Sequence, residues 1–211
     1  TVDGVGEWET TAIYFGNRHK IINLESINFP HSLGMLYSTF TAYLGFKPNE
    51  GEYKIMGLAP YGNPNIYEKE FKKLYKVDEK GLFKLNMKYF SYDYSETEMF
   101  TLDLPKLFQV PNRLPEEPIN DIHKNISAAL QYTYEKHFFR LLNKLHEKTK
   151  SDNLCLSGGC AYNGTANGKI QSKTPFKNIW IPPAPSDAGS AIGAALHYWN
   201  HITNDRKVNT T

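Results

Sequence analysis

The residues of this chain best equipped for chemistry are carboxylates beside glycine-rich turns. Asp3 precedes Gly4, Val5, Gly6 and Glu7; Gly51 precedes Glu52 and Lys54; Gly158 and Gly159 follow the run "NLCLS"; and Asp187 opens "SDAGSAIGAAL". Glycines after a strand let a phosphate or ribose approach bare backbone amides. The helix that follows adds N–H groups and the positive end of its dipole. Carboxylates beside phosphates are hard oxygen ligands for a divalent cation.

Each stretch also has an ordinary reading. Gly158-Gly159 matches neither GxGxxG nor the P-loop, so spacing leaves open both a tight strand-to-helix turn and a ligand loop. Asp-Gly favours a hairpin turn, and Ser186 or Asp187 suits a helix N-cap. Glu52 and Lys54, near a helix end, have the ordinary reading of exposed surface charges, which local sequence favours over a site role. Asn163, one turn beyond the glycines, suits a local cap or a hydrogen bond to a sugar or base. Taken together, three glycine-rich turns, two of them with acids, bracket one α/β layer. That pattern fits a nucleotide site assembled from separated loops.

The elements that must position these residues follow from periodicity. Residues 1–30 alternate like strands, with turn signals at Asp3-Gly4, Gly6 and Gly16-Asn17, and "AIYFG" pairs with "KIINLESI" around Gly16-Asn17-Arg18. Apolar residues at 33, 36, 40, 43 and 44 predict a helix that stops at Gly45, and His31 could cap it. "GEYKIMGLAPYG" predicts a short helix broken at Pro60 and Gly62. Residues 65–117 predict a lobe or insertion, with a helix near 66–75 and a hairpin around "GLFKLNMKYF".

The strongest helical pattern spans about 118–148. Ile122, Ile126, Ala129, Leu130, Thr133, Tyr134, His137, Phe138, Leu141 and Leu145 share a face, and Pro118 suits the first turn. The last third reads strand ("NLCLS"), glycine turn, helix ("CAYNGTANGKIQ"), strand ("NIWIPP"), loop and helix ("SDAGSAIGAALHYW"). A parallel βαβ pair needs both sheet faces covered, which predicts an α/β layer.

Composition sets the outer bounds. The 211 residues are 40% hydrophobic and 22% charged, ordinary values for a folded chain able to bury a core. A net charge of +2 without a basic block argues against a nucleic-acid surface. No apolar run approaches the ~18 residues that span a bilayer. Cys155 and Cys160 fit neither a disulfide framework nor a CxxC site, so a cytoplasmic protein with reduced thiols is expected. The chain opens without methionine and with a strand pattern under way, as expected of part of a longer protein.

The motifs also carry a resemblance. "FPHSLGMLYSTFTAYLGFKPNEGEYKIMGLAPYG", "NLCLSGGCAYNGTANGKI" and "IWIPPAPSDAGSAIGAAL", with "TVDGVGEWETT" ahead of them, resemble the O-carbamoyltransferases of the nodulation protein U, cephamycin hydroxymethyl and tobramycin carbamoyltransferase type. The likeness covers nearly all of the chain except about 65–115. It implies an α/β fold of the actin-like ATPase class (sugar kinase/Hsp70-type, ribonuclease H-like), with a mixed sheet covered by helices and an α+β insertion. The chain would be one partial domain over 1–211, with nucleotide-site motifs in 1–62 and 153–199.

The resemblance further implies that a YrdC-like domain of the same polypeptide makes carbamoyl adenylate from carbamoyl phosphate and ATP. The actin-like part would hold that adenylate over a metal, usually iron(II), with magnesium possible alongside ATP. It would then pass the carbamoyl group to a hydroxyl of a small molecule or glycan. Position by position, Asp3 and Asp187 match metal ligands, and Gly4, Val5, Gly6 and Glu7 a phosphate-facing loop. Glu52 and Lys54 match a stretch lining the nucleotide, and Gly158, Gly159 and Asn163 the SGGxxxN motif at the adenosine.

No residue here matches a catalytic position of the resemblance. Its two H-x-x-x-H metal ligands, its N-terminal catalytic histidine and its YrdC-like domain have no counterpart in the 211 residues, so the chain alone is expected to be inactive. An actin-like tRNA threonylcarbamoyladenosine transferase is the nearest alternative, disfavoured by "SDAGSAIGAA" and "GEYKIMGLAPYG". A non-catalytic nucleotide-binding module is the other.

Overall fold

The structure, a computed structural model, describes residues 1–17 and 20–202, except for the side chains of 201 and 202. It opens with an antiparallel sheet of β1 (Val2–Gly6), β2 (Glu9–Asn17) and β3 (Lys20–Asn28), in the order β1-β2-β3. Asn17 pairs with Lys20, so the expected hairpin forms, although Arg18 of its turn lies outside the described residues. Asp3-Gly4 and Gly6 were expected in turns; the backbone instead runs through them as β1. The turn falls on Glu7 and Trp8, with Gly6 opposite Glu9 and Glu7 at φ 46°. Thr10, Thr11, Ala12 and Ile13 are all buried, an unbroken run that marks this part of β2 as covered on both faces.

Helix α1 (Leu33–Tyr43) follows, ending before Gly45 as its stripe predicts. Leu33, Leu36, Phe40, Tyr43 and Leu44 are at most 1% exposed. Its N-cap is Ser32, which accepts the Met35 N–H at 3.0 Å; His31 does not cap. Helix α2 (Glu52–Leu58) runs into a 3₁₀ turn at Ala59–Tyr61 and stops at Gly62.

The segment 65–117 holds α3 (Glu68–Lys73), the hairpin β4 (Tyr75–Val77) with β5 (Phe83–Leu85), and α4 (Asp103–Phe108). The hairpin was expected around "GLFKLNMKYF"; its turn lies earlier, because Asp78 accepts the Lys80 and Leu82 N–H groups and closes the loop. Phe71 stacks on Phe40 at 4.7 Å, and Phe108 meets both rings edge-on at 5.3 and 5.4 Å. The segment thus shares one hydrophobic core with α1. Full burial of each such side chain is worth about 1.5–3 kcal/mol.

The long helix α5 (Asp121–Thr149) begins later than expected, so Pro118 is not in its first turn. Asn120 caps it reciprocally with His123, whose Nδ1 accepts the Asn120 N–H at 3.1 Å. That box buries His123 and leaves Ile122, expected on the core face, 41% exposed. The rest of the stripe is buried as predicted, from Ile126 to Leu141.

Strand β6 (Asn153–Cys155) pairs in parallel with β7 (Asn178–Trp180). Between them the expected single helix is three pieces: a 3₁₀ turn at Gly159–Tyr162, α6 (Gly164–Asn167) and α7 (Ile170–Lys173). Asn163 breaks it by capping α6, and Gly164 and Gly168 give little helical support. Val2 donates to the Ser157 carbonyl at 2.9 Å, which places the parallel pair beside β1. The architecture is mixed α/β.

The expected helix after the loop is α8 (Gly189–His197), which continues into a π-helical turn at Tyr198–Ile202. Neither Ser186 nor Asp187 caps it with a side chain; their carbonyls take the Gly189 and Ser190 N–H groups. Among the described residues no helix is long and apolar enough to cross a membrane.

Candidate functional site

A cavity of about 890 Å³ lies where β1, α1, α2, the 3₁₀ turn at Gly159–Tyr162 and the loop before α8 converge. Its construction starts at β1. Gly34, in the first turn of α1, sits so close that a Cβ there would come within 2.6 Å of the Asp3 carbonyl oxygen and the Gly4 nitrogen. Ser32 donates to the Gly4 carbonyl at 2.6 Å, so the cap that starts α1 also ties it to the strand. Asp3 is thereby held at the cavity wall, its Oδ1 accepting the Gly4 N–H at 2.7 Å.

The paired glycines divide their work. Gly158, at φ 98° and ψ 162°, occupies backbone space that only glycine enters readily. An added Cβ would lie 2.1 Å from the Val2 carbonyl oxygen. This glycine lets two backbones pack and does not line the cavity. Gly159 does line it; a Cβ there would meet Asp3 Oδ1 at 3.0 Å.

Of the residues the sequence singled out, Asp3, Gly4, Val5, Glu52, Gly159, Asn163 and Asp187 share this cavity. Gly6, Glu7, Lys54 and Gly158 do not line it. Gly6 ends β1 and Glu7 stands in the β1–β2 turn, while the Lys54 ammonium sits over the Phe46 ring, 5.4 Å from its centroid. Glu52 is fixed by two donors to one oxygen, the Ser38 hydroxyl at 2.7 Å and the Asn49 N–H at 2.8 Å.

Sequence reasoning missed Met35, Tyr37, Ser38, Asn49, Tyr53, Met56, Cys160 and Tyr162 as lining residues, and took Tyr134 for core alone. Tyr37 and Ser38 lie on a helix whose apolar stripe gave no sign of a second, polar face toward a ligand space. Burial pushes the Cys160 thiol up to about 12, reinforced by the nearby negative charge of Asp3, so it is no ready nucleophile.

The electrostatics are lopsided. Asp3, Glu50, Glu52 and Asp187 line the cavity, and among the described residues no Lys, Arg or His lines it. An anionic ligand meets repulsion there unless a cation accompanies it. Asp3 and Asp187 are oxygen donors of the kind a divalent ion takes together with waters and phosphate oxygens. Among the described residues no three His, Cys, Asp or Glu side chains cluster to hold a metal.

The family model for the carbamoyltransferase N-terminus matches residues 1–196. The chain belongs to the carbamoyltransferase family. An uncharacterized protein of Synechocystis sp. is 47% identical over 208 residues, covering 98% of this chain and 34% of the relative. Nodulation protein NolNO of Sinorhizobium fredii is 34% identical over 202 residues, covering 96% of this chain and 28% of its own length. Nodulation protein NolO of Bradyrhizobium diazoefficiens is 34% identical over 195 residues, covering 92% and 33%. The chain therefore spans about a third of the length of the curated relatives it matches.

Proposed function

We propose that this chain supplies the nucleotide-holding part of an ATP-dependent O-carbamoyltransferase, with carbamoyl adenylate bound in the 890 Å³ cavity. The observation that carries the reading is convergence. Asp3, Glu52, Gly159, Asn163 and Asp187, spread across most of the chain, meet on one cavity in a member of the carbamoyltransferase family. The actin-like class is the fold proposed for it. Three antiparallel strands with a parallel pair beside β1, and helices against them, support that choice.

In this reading the acceptor hydroxyl attacks the carbamoyl carbon and the bond to AMP breaks, with negative charge developing on the leaving phosphate. The Gly159 backbone, bare of a side chain, allows close approach of the nucleotide, and Asn163 hydrogen-bonds it. Glu52, held by Ser38 and Asn49, presents a fixed carboxylate at the opposite wall. Asp3 and Asp187 would hold a divalent cation, iron(II) in the resemblance or magnesium with ATP. Bound there, such an ion would offset the charge of the acidic wall and would supply polarisation of a carbonyl or phosphate oxygen. The acceptor is a hydroxyl-bearing small molecule or glycan, and the adenylate comes from a YrdC-like domain of the same polypeptide in the cytoplasm. The base that takes the acceptor's proton is unassigned.

The test uses the full-length protein that contains this chain, given carbamoyl phosphate, ATP and a glycan alcohol. Carbamoylated product should form, fall at least about a hundredfold in Asp187→Ala, and disappear with a chelator. Full activity of Asp187→Ala with unchanged metal content would remove the ligand assignment. Robust product from the 211-residue chain alone would refute the division of labour.

A further inference from the structure

Beneath the cavity a polar network ties Asn163 to Gln131 and Glu135 of α5, two residues that belong to none of the glycine motifs. Gln131 of α5 is 5% exposed, yet its amide is fully engaged. It forms a reciprocal pair with Asn163: Asn163 Nδ2 donates to Gln131 Oε1 at 3.1 Å, and Gln131 Nε2 donates to Asn163 Oδ1 at 3.1 Å. The same Nε2 donates to Glu135 Oε1 at 3.0 Å, and the Lys169 ammonium donates to that carboxylate at 2.6 Å. The Tyr37 hydroxyl donates to Gln131 Oε1 at 2.9 Å.

The direction of every bond is forced. The Ala166 N–H can only donate, so the Asn163 atom it meets at 3.0 Å is Oδ1. A carboxylate can only accept, so the Gln131 atom facing Glu135 is Nε2. With Nε2 turned to Glu135, Gln131 Oε1 is the atom that faces Tyr37, whose hydroxyl burial keeps protonated and able to donate to it. Asn163 Oδ1 then has both its acceptor positions filled, by Ala166 and Gln131. Of the Asn163 amide, one Nδ2 hydrogen is left for the cavity it lines.

We propose that Gln131 is a positioning residue for the nucleotide site: with Tyr37 and Glu135 it locks the Asn163 amide so that this side chain offers the cavity only an N–H donor. The matching ligand atom is an acceptor, such as a ribose oxygen or a ring nitrogen of the base. This rests on the nucleotide reading above and adds the polarity of one contact. Without the lock, Asn163 could turn its oxygen to the ligand and present the wrong partner.

The experiment measures ATP binding with magnesium to the full-length protein and to Gln131→Glu, across pH. Gln131→Glu keeps the shape but sets a second carboxylate against Glu135 and Asn163 Oδ1. Near about pH 8 its ATP affinity should fall about tenfold relative to wild type. Near about pH 5, as the raised pKa of the new carboxyl lets it protonate and donate again, the gap should close. Lys169 and Glu135 face the new group and Tyr37 lies on its other side, so Lys169→Met is run in parallel to separate their charge.

Affinity equal to wild type at every pH overturns the proposal, and so does a deficit that ignores pH. If Gln131→Glu does not fold, Tyr37→Phe replaces it, with an expected loss of about two- to fivefold; no loss counts against the lock. If the wild-type protein binds no ATP with magnesium, the nucleotide reading itself fails, an outcome distinct from these.

Discussion

Asp3 and Asp187 reach the same cavity from supports of different kinds. Asp3 stands in a strand whose preceding residue, Val2, is 4% exposed, and Gly34 and Gly159 press against it from two elements. Asp187 is itself exposed and leads into α8, a helix without one buried residue, where Ile192 and Leu196 are 50% and 45% exposed. One carboxylate is placed by backbone packed on backbone. The other is placed by a turn and by the short bonds from Gly189 and Ser190. The contrast teaches that a cavity can gather its ligating groups without stabilising them equally. The β1 wall is preorganised by the core, whereas the α8 wall adds little to the stability of this chain.

The sharpest way to break this comparison is Gly158→Ala. The new Cβ meets the Val2 carbonyl at 2.1 Å in a backbone region hostile to side chains. A loss of about 4 kcal/mol in urea unfolding is expected, or no folded protein at all. A loss under about 1 kcal/mol would mean that the β1 wall is softer than its packing implies.

Acid provides the next largest effect, again on the packed side. Burial drops the His137 pKa to about 4, with help from the Arg140 and Lys136 charges. Its ring meets Tyr75 edge-on at 4.2 Å, and among the described residues its Nε2 has no hydrogen-bond partner. The unfolded chain binds the proton near pH 6.5 and the folded one near 4, so stability is whole above about 6.5. It falls by about 3 kcal/mol as the pH drops to about 4. His137→Leu should flatten that limb of a stability-versus-pH curve; an unchanged slope would assign it to other groups.

Ser38→Ala removes a donor from Glu52 and should cost about 1 kcal/mol while loosening that carboxylate, seen as a weaker magnesium-dependent ATP affinity. On the α8 side, Gly193 has nothing within 4 Å of its would-be Cβ, so Gly193→Ala should leave the unfolding free energy unchanged or raise it by up to about 1 kcal/mol through helix propensity, read in urea unfolding. Smallest of all, Asp187→Ala should alter stability by less than about 0.5 kcal/mol, even though it removes a proposed ligand. A large stability loss there would show that the two walls are not built differently after all.

Much of the frame was legible in the sequence because helical stripes report burial directly. Leu33, Leu36, Phe40 and Tyr43, like Ile126, Leu130 and Phe138, are buried where their spacing places them. The misplaced boundaries share a cause, since short polar side chains redirect the backbone locally. Asn120 starts α5, Asn163 splits a helix, and Asp78 moves a hairpin turn. Tyr134 resisted the sequence because periodicity marks a position as buried without saying whether it faces a core or a ligand space, and Tyr37 and Gln131 resisted it because they lie off the apolar stripes yet are buried.

Sequence by itself determined the kind of groups at stake, carboxylates and glycines at strand ends, and through the motifs its family. Local spacing carries that information because turns and caps depend on nearest neighbours. Only the tertiary structure decided which of them meet: Gly159 at the cavity and Gly158 against Val2, Glu52 on the wall and Lys54 over Phe46. Adjacent residues separate in this way because side-chain direction depends on what packs from elsewhere in the chain, and no local pattern encodes that.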